Sequence, residues 1–355
     1  HYPLLSALFD SLGVRSQPSD MSFSVRCDES GFEFSGSSLN TFFAQRSNVL
    51  RPDTWRLLKD ILRFNRDGTQ SLKSGIEDHI TVGDFAQQHG YSNVLLARYL
   101  LPLGGALWSC DTQTFRNFPM RFVLEFLRNH EMLQIGSRPA WRTVSGGSRH
   151  YVERLAGHLG SRLRLNQHVM GVARKGRGVE VCFTDGGRQT FDEAVLATHA
   201  DTSLALLADA EDEEQALLGT FPYQDNVVCL HSDTRVLPRT RRAWASWNYR
   251  IRKGGQDGTC VTYNMNKLQA LESPTTFCVS LNQQEDLQPD QILHQETVRH
   301  PLFVPGRDKA QASHPKMIRR RGLSYCGAYW GFGFHEDGVR SAVSVCDAFG
   351  VERPF

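Results

Sequence analysis

The sequence predicts a two-domain protein of the α/β class with a strong α+β character. Three patterns support this prediction: helix-period apolar residues over residues 53–130, period-two alternation between residues 163 and 281, and a strand, glycine turn and helix that close the chain over residues 323–346. At 355 residues the chain is long for one domain and natural for two. We therefore expect a domain around the closing strand and helix, and a second domain of helices and sheet.

The composition narrows the class of protein. A net charge of +2, with 22% charged and 40% hydrophobic residues, is ordinary for a globular protein and gives no indication of nucleic-acid binding. The eight cysteines form neither CxxC nor Cys/His metal spacings, so we expect reduced, buried thiols, no metal and a cytoplasmic location. No apolar stretch has the length of a membrane-spanning helix, since Arg98 and Pro102 interrupt the longest.

The first third of the chain predicts a hairpin followed by a helical insertion. Apolar and polar residues alternate on both sides of a turn in residues 20–36. Asp53 then caps a helix, and further helices follow over residues 81–90, 92–101 and 118–130. Residues 53–130 therefore form a mostly helical segment that carries its apolar side chains on its inner faces.

The middle of the chain predicts strands. A helix over residues 151–159 precedes short period-two segments, of which two are joined by the hairpin dipeptide Asp185-Gly186. A continuous apolar strand over residues 193–197 leads into a helix capped by Asp201. Residues 283–321 are polar and contain prolines, which indicates a connector. The antiparallel sheet is expected from four further strands, residues 226–231, 244–248, 260–264 and 277–281.

The closing block predicts a strand, a glycine- and aromatic-rich turn, and a helix that begins near Glu336. Such a geometry offers backbone N–H groups and a partial positive charge to an anion. Gly331-Phe332-Gly333 superficially resembles the start of a dinucleotide fingerprint, but the third glycine and a following βαβ unit are missing. A plain strand-to-helix connection, in which glycine serves only backbone shape, remains the alternative.

Several segments of the chain together carry a family resemblance, and the closing block over residues 326–340 is the most specific. The others are residues 17–23, 32–36, 144–149, 197–201, 247–249 and 261–266. In these segments the chain resembles the amine-oxidase-like FAD-dependent oxidoreductases, the flavoproteins that include phytoene desaturases and protoporphyrinogen oxidases. It is similar in particular to bacterial predicted NAD/FAD-binding proteins often found beside cyclopropane-fatty-acid synthases. The resemblance covers nearly the whole chain.

The resemblance implies an FAD/NAD(P)-binding amine-oxidase-like fold that lacks its N-terminal βαβ unit. The family begins with a strand and a GxGxxG helix for the FAD pyrophosphate, and this sequence has none, so we expect an N-terminally truncated fragment. The implied partial FAD-binding domain comprises residues 1–52, 141–210 and 322–355. The implied substrate domain, a mixed sheet with the helical insertion, comprises residues 53–140 and 211–321.

The resemblance also implies FAD as the cofactor and assigns roles to particular residues. Val169 would meet the adenine, Ala197 and Thr198 would lie near the ribose or pyrophosphate, and the glycines of the closing turn would let the backbone approach the cofactor. The first turn of the last helix would stabilise negative charge on the flavin pyrimidine edge. The implied cofactor residues are Val169, Ala197, Thr198, Gly327, Gly331, Gly333, Phe334, His335 and Glu336.

Catalytic residues are less defined, because flavin oxidation of a C–H bond often needs no protein acid or base. Candidates for the wall of the substrate chamber are Tyr329 and Trp330 in the closing turn, together with four residues of the sheet, Trp247, Asn248, Tyr263 and Asn264. A core position is the alternative for the aromatic residues. The basic run over residues 319–321 indicates a solvated loop or a contact with an anionic headgroup.

The function expected from the resemblance is an FAD-dependent dehydrogenase or desaturase. It would take a hydride from a C–H bond of an apolar, fatty-acyl or lipid substrate and pass electrons to an unknown acceptor. Two alternatives stay open: an amine or carotenoid-type flavin oxidase, and a non-catalytic flavin- or lipid-binding protein. Peripheral membrane contact is compatible with the sequence. A lipid is favoured over a small amine by four leucines of the insertion, Leu100, Leu101, Leu103 and Leu107.

Overall fold

The computed structural model describes residues 2–134, 140–254, 258–352 and 355. Its strands are β1 Ser16–Pro18, β2 Phe23–Cys27, β3 Glu33–Ser35, β4 Arg142–Val144, β5 Val169–Lys175, β6 Gly178–Phe183, β7 Arg188–Phe191, β8 Ala194–Leu196, β9 Tyr223–His231, β10 Trp247–Ile251, β11 Val261–Asn264, β12 Cys278–Leu281, β13 Ile292–Pro301 and β14 Leu323–Tyr325. Its helices are α1 Pro3–Ser11, α2 Leu39–Phe42, α3 Pro52–Ser74, α4 Val82–Gln88, α5 Asn93–Leu95, α6 Leu101–Trp108, α7 Thr112–Arg116, α8 Met120–Asn129, α9 Arg149–Leu159, α10 Ala200–Leu206, α11 Asp212–Leu218, α12 Met265–Leu268, α13 Arg307–Ala312 and α14 His335–Ala348.

The chain divides into two compact units whose bounds differ from the predicted domains. The first unit is His1–Arg15, Ser148–Tyr223 and Phe303–Phe355, and the second is Ser16–Gly147 and Gln224–Leu302. The early hairpin belongs to the second unit, because β2 pairs in parallel with β10. Part of the presumed connector belongs to the first unit, because the Gln311 side chain donates to the backbone oxygens of Tyr329 and Gly331.

The second unit contains a seven-stranded sheet in the order β13-β9-β12-β11-β10-β2-β3. All four strands predicted for this sheet are found in it, with shifted ends. The β2–β10 pair is parallel, which departs from the predicted antiparallel sheet. Strand β13 lies within the segment that the sequence presents as a connector. It is an edge strand with mostly exposed side chains, so its sequence shows no apolar alternation.

The helical insertion of the second unit is confirmed as α3 to α8. Leu57 and Phe64 of α3 are buried, and a side chain at Gly68 would meet Leu124 of α8 at 2.6 Å, so the two helices pack closely there. The Trp108 ring lies 5.6 Å from the Phe115 ring, in an aromatic core between α6 and α7. Burial of each such side chain contributes about 1.5–3 kcal/mol to folding.

The pKa of Asp233 gives a pH-dependent prediction for the second unit. Burial alone would raise this pKa, but hydrogen bonds from the Arg235 side chain and from the backbone N–H groups of Arg235 and Gln288 lower it from 3.8 to about 2. The ionised Asp233 therefore contributes stability above pH 3.8, and this contribution is lost as the pH falls towards 2. We expect Asp233→Asn to lower the free energy of unfolding by about 2 kcal/mol at pH 7.

Urea unfolding at a series of pH values measures this effect. The difference between wild type and Asp233→Asn should shrink as the pH falls from 5 towards 3, whereas the exposed control Asp290→Asn should show little difference throughout. A difference that stays constant with pH would contradict the assigned role of the Asp233 charge.

The first unit contains a three-stranded antiparallel meander, β5-β6-β7, and a parallel pair, β14-β8. Strand β8 and helices α9 and α10 confirm the predicted elements with small shifts of their ends. The predicted strand over residues 163–166 is not formed. The core lies where the meander meets β14, with Val172, Val179, Met317 and Leu323 buried together.

Buried and paired charges link the elements of the first unit. Glu214 of α11 is fully buried and pairs with Arg174 of β5, and it accepts a hydrogen bond of 2.7 Å from the Tyr325 hydroxyl of β14. The basic run is exposed at Arg319 and Arg321, as predicted, and each of its arginines also has a glutamate partner. Arg319 contacts Glu193, and Arg320 and Arg321 contact Glu211, so the chain itself supplies the anions for these arginines.

None of the described helices combines the length and the hydrophobicity needed to cross a membrane. All eight cysteines are free thiols, and six of them are buried. Within the described ranges, no group of three or more His, Cys, Asp or Glu side chains is arranged to hold a metal ion.

Candidate functional site

The parallel strands β8 and β14 end at the same edge of the first unit. Leu196 stands opposite Tyr325 in their register, and the Cys326 N–H donates to the Leu196 oxygen at 3.1 Å. Ala197 and Thr198 therefore follow β8 at the place where Gly327 follows β14. Ligands of open α/β sheets bind at the carboxyl ends of parallel strands. The structure thus brings together three of the predicted cofactor residues.

Polar groups collect at this edge. The Thr198 hydroxyl lies 2.8 Å from the Ser203 hydroxyl, and the Ala200 N–H donates to the Tyr223 hydroxyl at 3.0 Å. Burial raises the pKa of Tyr329, which is 4% exposed, and the side chains of Trp330 and Ser203 act on its hydroxyl in the opposite direction. The edge therefore offers hydroxyl groups, which suit a ribose or phosphate.

The glycines of the closing turn are required by neighbouring side chains. A Cβ at Gly327 would overlap the Tyr329 ring, and one at Gly331 would overlap the Asp337 carboxylate. Gly333 has φ +91°, and a Cβ there would lie 2.9 Å from the Phe303 ring. Backbone shape and packing, the plainer alternative, explain all three glycines. Their close approach to a cofactor stays a prediction.

The first turn of α14 is closed by its own carboxylates. The buried Asp337 accepts from the Phe334 N–H at 3.1 Å and pairs with Arg340 at 2.9 Å. Burial raises the pKa of Asp337. The Phe334 N–H is thus engaged within the turn, and its role towards flavin stays a prediction. His335 and Glu336 keep first-turn N–H groups that have no acceptor inside the helix, as at any helix start.

The Glu336 side chain has a structural role that the sequence did not reveal. Its two carboxylate oxygens accept from the backbone N–H groups of Leu4, at 3.1 Å, and Leu5, at 2.9 Å. Glu336 therefore caps the N-terminus of α1 from a position 332 residues away in sequence. The only signal in the sequence was an acidic residue in the first turn of α14.

We expect Glu336→Ala to destabilise the docked α1 by about 1–2 kcal/mol, because two helix N–H groups lose a charged acceptor. Amide hydrogen exchange at residues 4–9 should accelerate, and urea unfolding should shift accordingly. Glu153→Ala on the exposed face of α9 is the matched control and should change neither quantity. Unchanged exchange in α1 would show that the cap contributes nothing.

Tyr329 and Trp330 lie in the core of the first unit. The Phe221 ring contacts both rings, at 5.0 and 5.4 Å, and the His314 ring stacks on Trp330 at 4.5 Å. The core alternative therefore describes both residues, and a role in the substrate chamber stays a prediction. Val169 begins β5 in the meander, outside the β8–β14 pair, and its side chain is exposed.

One face of the second unit's sheet carries a continuous apolar row. Five partly buried side chains stand side by side across five strands, one from each strand. In register order they are Phe23, Trp247, Tyr263, Val279 and Leu230. We call these five residues the apolar row.

Helix α6 covers this face of the sheet. The Tyr263 hydroxyl donates to the Ala106 oxygen at 3.3 Å, and a Cβ at Gly105 would come within 2.9 Å of Tyr249. Of the four leucines predicted to line an apolar chamber, Leu100 and Leu103 are buried in the core, while Leu101 and Leu107 are partly exposed.

The opposite face of the same strands is polar and buried. Ser24 donates to Asn248 at 2.8 Å, Thr262 and Ser280 are 2.7 Å apart, and Gln283 donates to Thr262 at 2.8 Å. Since successive residues of a strand alternate between faces, the predicted pair Tyr263 and Asn264 separates. Tyr263 belongs to the apolar row. Asn264 is buried and caps α12 by accepting from the Lys267 N–H at 3.3 Å.

Comparisons with known proteins agree with this architecture. The model of the flavin-containing amine oxidoreductases matches residues 1–236. No curated protein matches the chain.

Three solved structures illustrate the similarity in fold. A fatty acid isomerase from P. acnes that produces CLA is 14% identical, with a TM-score of 0.62 over 99% of this chain and 85% of its own. Cyclohexylamine oxidase from Brevibacterium oxydans is 12% identical, with a TM-score of 0.64 over 98% of this chain and 86% of its own. A reduced UDP-galactopyranose mutase is 12% identical, with a TM-score of 0.63 over 99% and 83%. At these identities the similarity establishes the fold.

Proposed function

Because the chain belongs to the family of flavin-containing amine oxidoreductases, we propose that it forms part of an FAD-dependent dehydrogenase or desaturase that acts on an apolar, fatty-acyl or lipid substrate. FAD is the cofactor of this family. When bound, it supplies the ring that accepts the hydride. The chain's own residues would hold the cofactor, orient the substrate and exclude water.

The residues at the β8–β14 edge fit part of an FAD. Thr198 supplies a hydroxyl, Tyr329 a buried hydroxyl, and the start of α14 supplies backbone N–H groups. These groups would hold polar parts of the cofactor. They do not form a glycine-rich phosphate loop, so the pyrophosphate needs donors from a further segment.

Exposed apolar side chains of the first unit are an argument for such a segment. Val195 of β8 is 46% exposed, although parallel sheets are normally covered on both faces, and β14 is the one described strand that pairs with β8. Helix α9 has no buried residue. Further exposed apolar side chains of the first unit are Val152, Leu155, Leu159, Leu163, Leu165 and Met170. We propose that a dinucleotide-binding βαβ unit covers this surface and extends the sheet at β8.

The apolar row is the observation that carries the substrate class. Its five side chains include no charged group, and a hydrocarbon chain packed against the part of the row that α6 does not contact would bury apolar surface at about 25 cal/mol per Å². A charged amine would find no carboxylate in the row. A second candidate, an amine oxidase, is favoured by the Trp247 and Tyr263 rings, which meet edge to face at 5.3 Å and could bind a cation.

An anaerobic reduction assay on flavin-loaded protein tests the substrate class. The assay would use protein expressed from a reading frame extended upstream. We expect fatty-acyl lipids to bleach the flavin and alkyl amines to leave it unbleached. Bleaching by amines alone would replace the proposal with the second candidate. Flavin that binds but is bleached by neither class would favour a non-catalytic binding protein.

In the same assay, Trp247→Ala should raise the KM for the acyl substrate about 10-fold or more, because it removes a large apolar contact worth about 1.5–3 kcal/mol. Leu293→Ala on the exposed edge strand β13 is the control and should leave KM unchanged. An equal KM in both variants would exclude the apolar row from substrate binding.

A further inference from the structure

The outer surface around the start of α3 is apolar and basic at the same time. Single exposed apolar residues are normal, but here five large ones fall within 24 residues of sequence. Leu50 is 86% exposed and Leu39 is 66% exposed. The full set is Leu39, Val49, Leu50, Trp55 and Leu62. We call this surface, residues 39–62, the interfacial patch.

Hydrogen bonds and a ring contact order the backbone of the interfacial patch. The Trp55 indole N–H donates to the Val49 oxygen at 2.8 Å, and the Trp55 ring lies 5.1 Å from the Phe43 ring. Arg46 donates to the Phe43 oxygen at 3.0 Å. The exposed apolar side chains are therefore held outwards by ordered backbone, which lowers the entropic cost of inserting them into another phase.

Two of the carboxylates of α3 lie on its inner face, since the side chains of Asp60 and Asp67 are only 6% and 14% exposed. The third, Asp53 in the first turn, is 46% exposed and contacts Arg56 at 3.5 Å. The outward positions include Arg56, Lys59 and Arg66, all exposed. A chain with a net charge of only +2 thus presents a helix face that is basic and apolar together.

A cleft of about 430 Å³ opens beside Trp55. Three cations line it: Arg56, Lys59 and Arg63. Among the described residues that line the cleft, the one carboxylate is that of Asp60, which is engaged by the Ser92 N–H at 3.1 Å and by Arg63 at 2.9 Å. The cleft therefore has the size and charge to receive a phosphate-bearing headgroup.

We propose that the interfacial patch docks on the surface of an anionic phospholipid membrane. Leu39, Leu50 and Trp55 enter the boundary between headgroups and acyl chains, where an indole ring is favoured. The cleft takes a lipid phosphate, and the outward basic side chains are attracted to the anionic surface. This docking does not depend on the proposed function, although it would bring a lipid substrate within reach.

Co-sedimentation of the chain with lipid vesicles tests the proposal. Binding should be strong to phosphatidylcholine vesicles that contain one third phosphatidylglycerol, weak to pure phosphatidylcholine, and reduced by salt. Arg56→Glu combined with Lys59→Glu should weaken the partition coefficient at least about 10-fold, since each basic residue near such a surface is worth about 1 kcal/mol. Leu50→Asp should weaken it comparably.

Two matched controls make the result specific. Leu293→Asp, an exposed leucine of the same unit, and Arg128→Glu, an exposed arginine of α8, should bind vesicles as wild type does. Circular dichroism checks that every variant is folded. Failure of the wild type to bind anionic vesicles, or equal loss in controls and patch variants, would overturn the proposal. So would a dimer in solution that Leu50→Asp dissociates, because a second copy would then cover the patch.

Discussion

Glu214→Ala is expected to lower the free energy of unfolding by about 3–5 kcal/mol, because it removes the buried partner of a buried cation and leaves Arg174 only its 3.4 Å contact with the partly exposed Asp209. Glu214 is fully buried, and Arg174, whose side chain is 6% exposed, contacts its carboxylate. The Tyr325 hydroxyl and the Glu211 N–H donate to the same carboxylate at 2.7 and 2.9 Å. One side chain thus satisfies donors from β5, β14 and the start of α11.

Urea unfolding of single and double variants tests this account. Arg174→Met combined with Glu214→Leu should recover much of the loss, because an apolar pair replaces a buried ion pair at low cost. Glu213→Ala, which removes a partly exposed partner of Arg320, should cost less than about 1 kcal/mol. A cost for Glu214→Ala as small as that of the Glu213 control would refute the network.

The second large effect is expected for Gly331→Ala, which should lower the free energy of unfolding by about 2–4 kcal/mol. The loss comes from overpacking and from the displacement of a helix cap. The new methyl group would occupy the place of the Asp337 carboxylate, which accepts the Phe334 N–H and pairs with Arg340. The backbone oxygen of Gly331 also accepts from Gln311 at 2.6 Å. A shift of this turn therefore disturbs both α13 and α14.

Gly338→Ala is the matched control for the turn, since it lies within α14 and nothing stands within 4 Å of an added Cβ. It should raise the free energy of unfolding by up to about 1 kcal/mol through helix propensity. Thermal unfolding of both variants is the measurement. Equal stability of the two would mean that the turn does not depend on the contact between Gly331 and Asp337.

The closing block was predictable because its elements are local. An apolar strand, a glycine turn and an acidic first helical turn follow one another in 26 residues, and they form β14 and α14. The row from Phe23 to Leu230 was not predictable, since it depends on register between strands far apart in sequence. The contact of Glu336 with α1 likewise joins the two ends of the chain.

Other features of the fold could not be predicted, because the local amino-acid composition gave no sign of them. Strand β13 is polar because it lies at a sheet edge, so only its pairing with β9 identifies it. The ion pairs of the arginines at positions 319–321 were not predictable, because their glutamate partners are more than 100 residues away in sequence. Alternation along a strand could have separated Tyr263 from Asn264, and this signal was present in the sequence.

Flavin retention in two forms of the protein tests the central claim most directly. We predict that a form extended upstream by a dinucleotide-binding unit purifies yellow, while the 355-residue chain retains little or no FAD. Hydrogen exchange should also slow in α9 and β8 of the extended form, because the added unit covers them. A colourless extended form would contradict the flavoprotein assignment. Equal FAD retention by both forms would contradict the proposal that the β8–β14 edge needs donors from a further segment.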